Sequence, residues 1–478
     1  MELMIPLNVR APQPLYEQIY EYIKSEIKSG SLKSGMRLPS TRTLAEHLKV
    51  SRSTTQLAYD QLCSEGYVES VPCRGYFVSQ IDDLLIMRHE HMPEILIPPV
   101  EEKDGCEIDF SPRGIDLNSF PFQTWRKISK NTLIDDNREM FAAGDRQGEG
   151  PLREAIRDYL HSARGVNCSA EQIVVGAGSE YLLMLLGQVL DDRKIIAMEN
   201  PTYKQAYRVL ESIGRNVVPV AMDSQGMNPE KLEGTQAQVA YIMPSHQYPT
   251  GIVMPVKRRQ ELLSWAYREE GRYLIEDDYD SEFRYRGKPV PALQGMDTGE
   301  RVIYLGTFSK SIAPAIRISY MVLPVPLLKK YREKAGFYAS TVSRIDQNIL
   351  YRFLVDGHYE RHLNRMRAIY KSKHDRLLAE LRQLEGTFEV RGEFAGLHIL
   401  LTARNKPDGD IGNLEQDLTE AALKAGARVY GLSSWLIGDG EVPKEWQGTV
   451  ALGYANLTEK EIERGVGLLK KAWSYQAS

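Results

Sequence analysis

The feature that most restricts this chain is an alternation that begins after Cys106. Short apolar runs (QIVVGAG, KIIAMEN, NVVPVAM, QVAYIMPS, RYLIEDD and RVIYLGTF) are separated by longer stretches of helical periodicity. Strands that alternate with helices imply an α/β fold with a mostly parallel sheet, because the crossover between parallel strands is itself a helix and covers a sheet face. Ligands in such folds gather at the carboxyl ends of the strands. The polar residues that close these runs are therefore where chemistry is to be sought. The C-terminal stretch, with FEVRGEFAGLHILL and ARVYGL, reads as a smaller α/β lobe.

The first part of the chain has a different pattern. Leu15, Ile19, Ile23 and Ile27 recur every four residues and make one apolar helical stripe. Pro39-Ser40 opens a second helix, with Leu44, Ala45 and Leu48 facing inward. A third helix runs from about Ser51 to Ser64, with Leu57, Ala58, Gln61 and Leu62 on or near its inner side, and Gly66 stops it. YVESVPCRGYFV then reads as two short strands around a turn at Pro72 to Gly75.

Between these parts, EHMPEILIPPVEEKDG mixes prolines and acids with little periodicity. The expected organisation is a head at 1–79, a linker at 80–105 and a large domain at 106–478. A flexible linker of that length, about 25 residues, would span roughly 25–30 Å. The N-terminus shows no basic flank before an apolar core, and no apolar run approaches the ~20 residues that span a bilayer. Four cysteines (Cys63, Cys73, Cys106, Cys168) lie far apart without a CxxC pair, which argues against a disulfide framework or a zinc site. A cytoplasmic protein with no membrane partner and no metal is expected.

Two helices joined by a tight turn and followed by a strand pair make a winged helix-turn-helix. LPSTRTLAEHLKVSRSTTQLAYDQLCSEGYVESVPCRGYFV resembles the GntR family over this whole segment. The helix that starts at Ser51 would present its N-terminal end to the major groove of double-stranded operator DNA. Ser51, Arg52, Ser53 and Thr54 are short or forked donors able to reach phosphates and base edges. The resemblance implies Arg42 and Arg52 as the main contacts, Gln56 as a supporting one, and Arg74-Gly75 as the wing tip. Residues 1–79 carry nine Lys and Arg against eight Asp and Glu. So small an excess leaves affinity to local clustering at the recognition helix and to dimerisation.

In the large domain, YLGTFSKSIAPAIRISY places Lys310 just past a strand end and Arg317 seven residues on. An amine can form a Schiff base with an aldehyde cofactor, and a forked donor can hold its phosphate. RYLIEDDYDSEF ends a buried strand in carboxylates, and a carboxylate against a pyridine nitrogen keeps that nitrogen protonated. VVGAGSEYLLML is a strand, a glycine turn and a helix start, whose free N–H groups suit a phosphate. ENPTY offers an aromatic face.

GDRQGEGPLREAI, GAGSEYLL, ENPTY, SHQYPTG, EDDYDSEF and GTFSKSIAPAIR occur in the order found in fold-type-I aminotransferases, which the chain resembles from about Asp109 to its C-terminus. That resemblance implies pyridoxal 5'-phosphate as cofactor and Lys310 as its Schiff-base lysine. It implies Asp277 at the pyridine nitrogen, Tyr279 at the phenolic oxygen and Tyr203 stacked on the ring. Gly178, Ser179, Thr307, Ser309 and Arg317 would hold the phosphate, and Arg428 a substrate carboxylate. Aminotransferases usually carry Asn-Pro-Thr-Gly after the central strand; here Tyr248 replaces the asparagine, a form found in the MocR/GabR regulators that fuse a GntR-type head to this domain. The Tyr248–Pro249 bond is expected to be cis. His246 reads as a hydrogen-bonded structural residue, with acid–base catalysis as the alternative.

The implied function is a homodimeric transcription regulator in which an amine or amino-acid effector exchanges with Lys310 on the cofactor and alters operator binding. An active aminotransferase with an accessory DNA-binding head is the alternative, and a regulator that senses the cofactor itself is a third. In the GABA-responsive member a second arginine sits two positions after the stacking tyrosine. Gln205 stands there in this chain, so the resemblance does not name GABA as effector.

Overall fold

Isoleucines spaced by four residues build the first helix, α1 (Leu15–Lys28): Ile19, Ile23 and Ile27 are buried, while Leu15 is half-buried. Ser40 caps α2 (Thr41–Leu48) by accepting the Thr43 N–H at 3.1 Å, and Lys49, with φ 55°, ends it. Ser51 caps α3 (Arg52–Ser64) in the same way, accepting from Thr54 N–H at 3.1 Å. Capping of this kind satisfies donors that the first helical turn leaves free. Strands β1 (Val68–Val71) and β2 (Gly75–Val78) pair antiparallel, Val68 opposite Val78, and form the wing.

The inner face of α3 differs from the one expected. Leu57 is 55% exposed and Gln61 is exposed; Thr55, Ala58, Tyr59 and Leu62 are buried instead. Thr55 is polar yet fits inside because its hydroxyl donates to the Thr41 carbonyl at 2.8 Å, tying α3 to α2. Tyr59 donates to the Pro39 carbonyl at 3.0 Å and meets the wing residue Tyr76 edge-on, ring centroids 4.8 Å apart.

The chain divides into two compact units, 1–103 and 104–478. This computed structural model describes residues 3–8, 11–80, 105–133, 138–285, 290–404, 414–438 and 443–474. Apart from residues 80 and 105, the expected linker lies outside the described residues.

The larger unit opens with the short strand β3 (Ile108–Asp109), helix α4 (Phe122–Thr132) and helix α5 (Gly150–Arg164). Its main sheet comprises β4 (Ile173–Gly176), β5 (Ile196–Asn200), β6 (Val217–Asp223), β7 (Gly226–Met227), β8 (Val239–Ile242), β9 (Tyr273–Asp278), β10 (Val302–Thr307) and β11 (Ser319–Val322). The order across the sheet is β4-β11-β10-β9-β8-β5-β6-β7. Only β11 and β7 run against the rest, so the sheet is mostly parallel, as the alternation predicts. Two of these strands are absent from the sequence reading: β11, because ISYMV follows directly on the lysine and arginine segment, and β7, which is only two residues long.

Buried side chains divide between the faces. Ile275 and Ile303 pack with Leu182, Leu183 and Leu186 of helix α6 (Ser179–Val189). Leu274 packs instead with Leu262 and Trp265 of the helix Val256–Arg268. A sheet covered on both faces requires apolar residues at consecutive positions, which is why these strands read as continuous runs.

The C-terminal lobe is a second, antiparallel sheet of β12 (Phe388–Arg391), β13 (His398–Ala403), β15 (Tyr430–Gly431) and β16 (Thr449–Gly453), in the order β12-β13-β16-β15. It packs against helices Leu414–Lys424 and Glu459–Ser474 and the end of the helix His358–Leu381. β14 (Ala427–Arg428) belongs to this part of the chain but pairs in parallel with β3. The Gly453 N–H also reaches the Phe110 carbonyl at 2.8 Å. The segment that follows β3 is thereby fastened to the lobe.

Candidate functional site

At the head, the candidate DNA contacts lie on α2, the start of α3 and the wing. Arg42 is exposed and engages Glu46, one turn on, at 3.1 Å. Arg52 is exposed at the first position of α3 and has no ion pair among the described residues. The hydroxyls of Ser51, Ser53 and Thr54 are linked, Ser51 Oγ lying 2.7 Å from Ser53 Oγ and 2.8 Å from Thr54 Oγ1. Gln56 turns toward the wing, donating to Asp60 at 2.8 Å and to the Tyr76 hydroxyl at 3.1 Å. Arg74 is exposed in the wing turn beside the Phe77 ring, and Gly75 opens β2 with φ 104°.

In the larger unit, a cavity of about 290 Å³ opens at the carboxyl ends of the central strands. Gly178, Ser179, Tyr203, Asp277, Tyr279, Thr307, Ser309, Lys310 and Arg317 all line it. Residues scattered over 140 positions of sequence meet there because the parallel crossovers return each strand end to the same edge.

Three consecutive acids close β9, and the pleat sends them to different tasks. Glu276 accepts the backbone N–H groups of Leu293 and Gln294, both at 2.8 Å. Asp278 forms a buried ion pair with Arg164 at 2.8 Å. Asp277 alone faces the cavity, where it accepts a hydrogen bond from Tyr241. Burial pushes the Asp277 carboxyl up to about 7; the Tyr241 bond opposes this, and the nearby Asp278 and Asp280 add to it. A cationic ring nitrogen beside such a group would favour its ionised form.

Lys310 lies just beyond β10 and donates from Nζ to the Arg113 carbonyl at 3.0 Å and to the Pro112 carbonyl at 3.4 Å. Burial lowers its pKa to about 8; Asp280 opposes the shift and the Arg113 charge assists it. The Tyr279 hydroxyl is 3.0 Å from His246 Nδ1, which is itself 2.9 Å from Asp280. His246 is thus a buried, hydrogen-bonded residue that fixes Tyr279. The Tyr248–Pro249 bond is cis, and so is Asn200–Pro201, which the sequence reading did not anticipate.

The phosphate side of the cavity is a cup. Gly178, at φ 96°, precedes α6, and Ser179 is that helix's first residue. A Cβ at Gly178 would collide with the Arg317 guanidinium, so glycine is required on both counts. Thr307 Oγ1 accepts from the Ser309 N–H at 3.1 Å and from Ser319 Oγ at 2.8 Å. The Ser309 hydroxyl is buried without a partner among the described residues. Arg317 extends into the cup from a left-handed backbone, φ 52°, and pairs with Glu180 at 2.8 Å. Glycine-flanked helix N–H groups, an unused buried hydroxyl and a guanidinium are the donor set a phosphate monoester needs. The residues present fit pyridoxal phosphate.

Arg428 is not brought to this cavity. It lies half-buried on β14, its carbonyl accepting the Phe110 N–H at 3.0 Å beside β3. The additional cation that lines the cavity is Arg113, three residues after Phe110, which sequence reasoning missed together with Tyr241 and Glu180. Among the described residues no helix is long and apolar enough to cross a membrane, and no cluster of acids, histidines and cysteines could hold a metal ion.

Comparison with known proteins follows the same division. Residues 15–78 match the gntR family of bacterial regulatory proteins, and residues 115–469 match the aminotransferase class I and II family. The chain is 41% identical over 475 residues to the uncharacterized HTH-type transcriptional regulator YdeL of Bacillus subtilis, covering 99% of this chain and 100% of that one. It is 31% identical over 484 residues to the probable rhizopine catabolism regulatory protein MocR of Rhizobium meliloti, covering 98% and 96% of the two chains. Among solved structures, the kynurenine aminotransferase of Pyrococcus horikoshii, crystallised with PMP, superposes with a TM-score of 0.68 at 26% identity, covering 79% of this chain and 93% of that one. On the fold, the cavity and these similarities, the chain belongs to the MocR/GabR subfamily of GntR-type transcription regulators, a winged helix-turn-helix fused to a pyridoxal-phosphate-dependent, fold-type-I aminotransferase-like domain.

Proposed function

We propose that this protein is a ligand-responsive transcription regulator in which an amine or amino-acid effector takes the place of Lys310 on the cofactor and thereby changes operator binding. The observation that carries the reading is the joining of two features in one chain: a capped helix start with a free Arg52, and a cavity holding Lys310, Asp277 and a phosphate cup. The bound cofactor supplies an aldehyde that amines occupy reversibly and a ring that withdraws electrons.

The protein's part is to bind, orient and release. Gly178, Ser179, Thr307, Ser309 and Arg317 hold the phosphate. Asp277 holds a proton at the ring nitrogen, Tyr279 faces the phenolic oxygen and Tyr203 flanks the ring. Lys310, lowered to about 8, is partly neutral near neutral pH and so is a competent nucleophile that an effector amine can replace. Once displaced, Lys310 Nζ has acceptors ready in the Pro112 and Arg113 carbonyls. Those carbonyls sit on the segment fastened to the C-terminal lobe through β3 and β14. The lysine's bonding state therefore bears on how that segment packs. A regulator of this kind couples its sites by about 1–3 kcal/mol, a factor of roughly 5–150 in affinity.

The protein is proposed to act in the cytoplasm as a homodimer, whose two heads would read two half-sites of duplex DNA. Arg42, Ser51, Arg52, Ser53, Thr54, Gln56, Arg74 and Gly75 are the proposed contacts. A second reading, an aminotransferase carrying a DNA-binding head, is favoured by the intact set of Lys310, Asp277 and Arg317.

The deciding experiment titrates amines into cofactor-loaded protein while cofactor absorbance and binding to the protein's own promoter region are recorded together, with Lys310→Ala as control. Operator affinity that follows the absorbance change supports the regulator. Steady turnover with an added keto acid and no change at the operator supports the aminotransferase. A response to pyridoxal phosphate alone makes the cofactor the signal.

A further inference from the structure

Two buried polar residues stand just behind the cavity wall. His246 is 3% exposed and Asp280 2%; neither lines the cavity, yet both reach Tyr279, which does. His246 Nδ1 lies 2.9 Å from one Asp280 oxygen, 3.1 Å from the other and 3.0 Å from the Tyr279 hydroxyl. An ionised carboxylate only accepts, so the contact with Asp280 places the ring's hydrogen on Nδ1. The Tyr279 oxygen then faces a donor, and its own hydrogen cannot go to His246. That hydrogen turns to Asp280 or to a ligand in the cavity. Burial, with the Asp280 charge next, holds the Tyr279 phenol well above its usual range, so it keeps a hydrogen to donate.

The C-terminal lobe holds this pair in place. Gly396, two residues before β13, has φ 81°, and a Cβ there would collide with the His246 ring and with Asp280. The glycine is itself tied down. Its N–H donates to the Phe283 carbonyl at 2.8 Å, and its carbonyl accepts from Tyr454 at 2.7 Å and Tyr285 at 2.8 Å. The His398 ring lies 5.6 Å from that of His246 and donates from Nε2 to the Pro249 carbonyl at 2.8 Å. Burial holds the His398 pKa at about 3, so it brings no charge. The charged or titratable groups that face the trio from the cavity are Asp277, Tyr248 and Lys310.

We propose that His246 and Asp280 are positioning residues that aim the Tyr279 hydroxyl, as a donor, at the cofactor's phenolic oxygen, and that the C-terminal lobe fixes the pair through Gly396. The inference rests on the placement of Tyr279 at that oxygen. It gives His246 a role through Tyr279 in place of direct acid–base work, since its ring does not line the cavity. A donor at the phenolic oxygen favours the form of the bound cofactor that has lost a proton. An Nδ1–H directed at the tyrosine oxygen makes that donor stronger, because hydrogen bonds in a chain polarise one another.

The test uses the full-length, cofactor-loaded protein and reads the pH at which the cofactor's absorbance changes. Tyr279→Phe removes the donor and should raise that midpoint by about 1 pH unit or more, the scale of one charge-assisted hydrogen bond. His246→Leu weakens the donor and should raise it by roughly 0.5 unit. His246→Asn, whose amide can restore an N–H, should recover more than half of that shift. Gly396→Ala displaces the ring and should move the midpoint the same way as His246→Leu. In a Tyr279→Phe background, His246→Leu should add less than half of its own shift, because the hydroxyl it acts through is gone. The remainder is Asp280 acting on Lys310, whose pKa it raises.

A His246→Leu shift that persists in full without the Tyr279 hydroxyl overturns the proposal. So does a wild-type midpoint in His246→Leu while Tyr279→Phe moves it; Tyr279 then keeps its place and the pair loses its role. A wild-type midpoint in Gly396→Ala removes the lobe from the proposal. If Tyr279→Phe moves nothing, the placement of Tyr279 at the phenolic oxygen falls, and the pair falls with it.

Discussion

Tyr241 and Asp277, on the neighbouring strands β8 and β9, are joined by a hydroxyl-to-carboxylate hydrogen bond inside the sheet edge. The bond opposes the effect of burial, which has already pushed the carboxyl up to about 7. Tyr241→Phe removes that opposition, so more of the carboxyl is protonated at neutral pH and less anion faces the ring nitrogen. Cofactor binding should weaken by roughly fivefold, the worth of about 1 kcal/mol for one hydrogen bond. The loss should be larger at pH 6.5 than at pH 8.5, since the carboxyl ionises as pH rises. Fluorescence titration with pyridoxal phosphate at the two pH values checks this.

Glu180 sits in the first turn of α6 and pairs with Arg317 at 2.8 Å, in the cup assigned to the phosphate. Two anions then compete for one guanidinium. Glu180→Gln removes the competitor and should tighten cofactor binding about two- to fivefold, the modest effect expected where Arg317 is half exposed. An unchanged or weaker dissociation constant would show that the carboxylate instead helps to place Arg317.

Lys310 carries its own pH signature. Burial holds its pKa at about 8, below the ordinary 10.5, so the neutral amine accumulates at lower pH than on a surface lysine. The rate at which the cofactor-free protein captures pyridoxal phosphate should rise with pH and level off above about 8. In Arg113→Gln the inflection should move upward, because a positive neighbour that disfavours the ammonium has been removed. Stopped-flow absorbance across the range measures both.

At the head, Arg52 has no ion pair among the described residues whereas Arg42 is held by Glu46. Arg52→Ala should therefore cost more operator affinity than Arg42→Ala, by roughly 1–3 kcal/mol if it reads a base edge. Glu46→Gln should strengthen binding by freeing Arg42. Affinities measured over a salt series distinguish the roles, since loss of a phosphate contact lowers the salt slope and loss of a base contact does not.

Much of the cavity was legible in the sequence because each part of it is local. A strand end and the few residues after it are adjacent in the chain, so GTFSK, EDDYD and GAGSE announce themselves as short strings. Even among the consecutive acids, strand alternation separates Asp277 from Glu276 and Asp278. Arg113 was hidden for the opposite reason. Its approach to Lys310 spans 197 residues and depends on β3 pairing with β14, a match of two residues on each side that leaves no periodic trace.

On α3, residue type misled. Leu57 looked internal because it is apolar, but the helical period through Thr55, Tyr59 and Leu62 places it outside. Thr55 takes the inner position because Thr41 offers it a carbonyl.

The loop between β10 and β11 links these results. Thr307 and Ser319 face each other in the antiparallel ladder, Phe308 N–H is tied to the Ile318 carbonyl at 3.0 Å, and Phe308, Ile312 and Ile318 are buried in the core. Lys310 and Arg317 are thus carried on one arch clamped at both feet. Such an arch works as a yardstick: the backbone spacing of the two residues is set before anything binds, so a vitamer whose carbonyl and phosphoryl ends are spaced differently must be met by the two side chains alone.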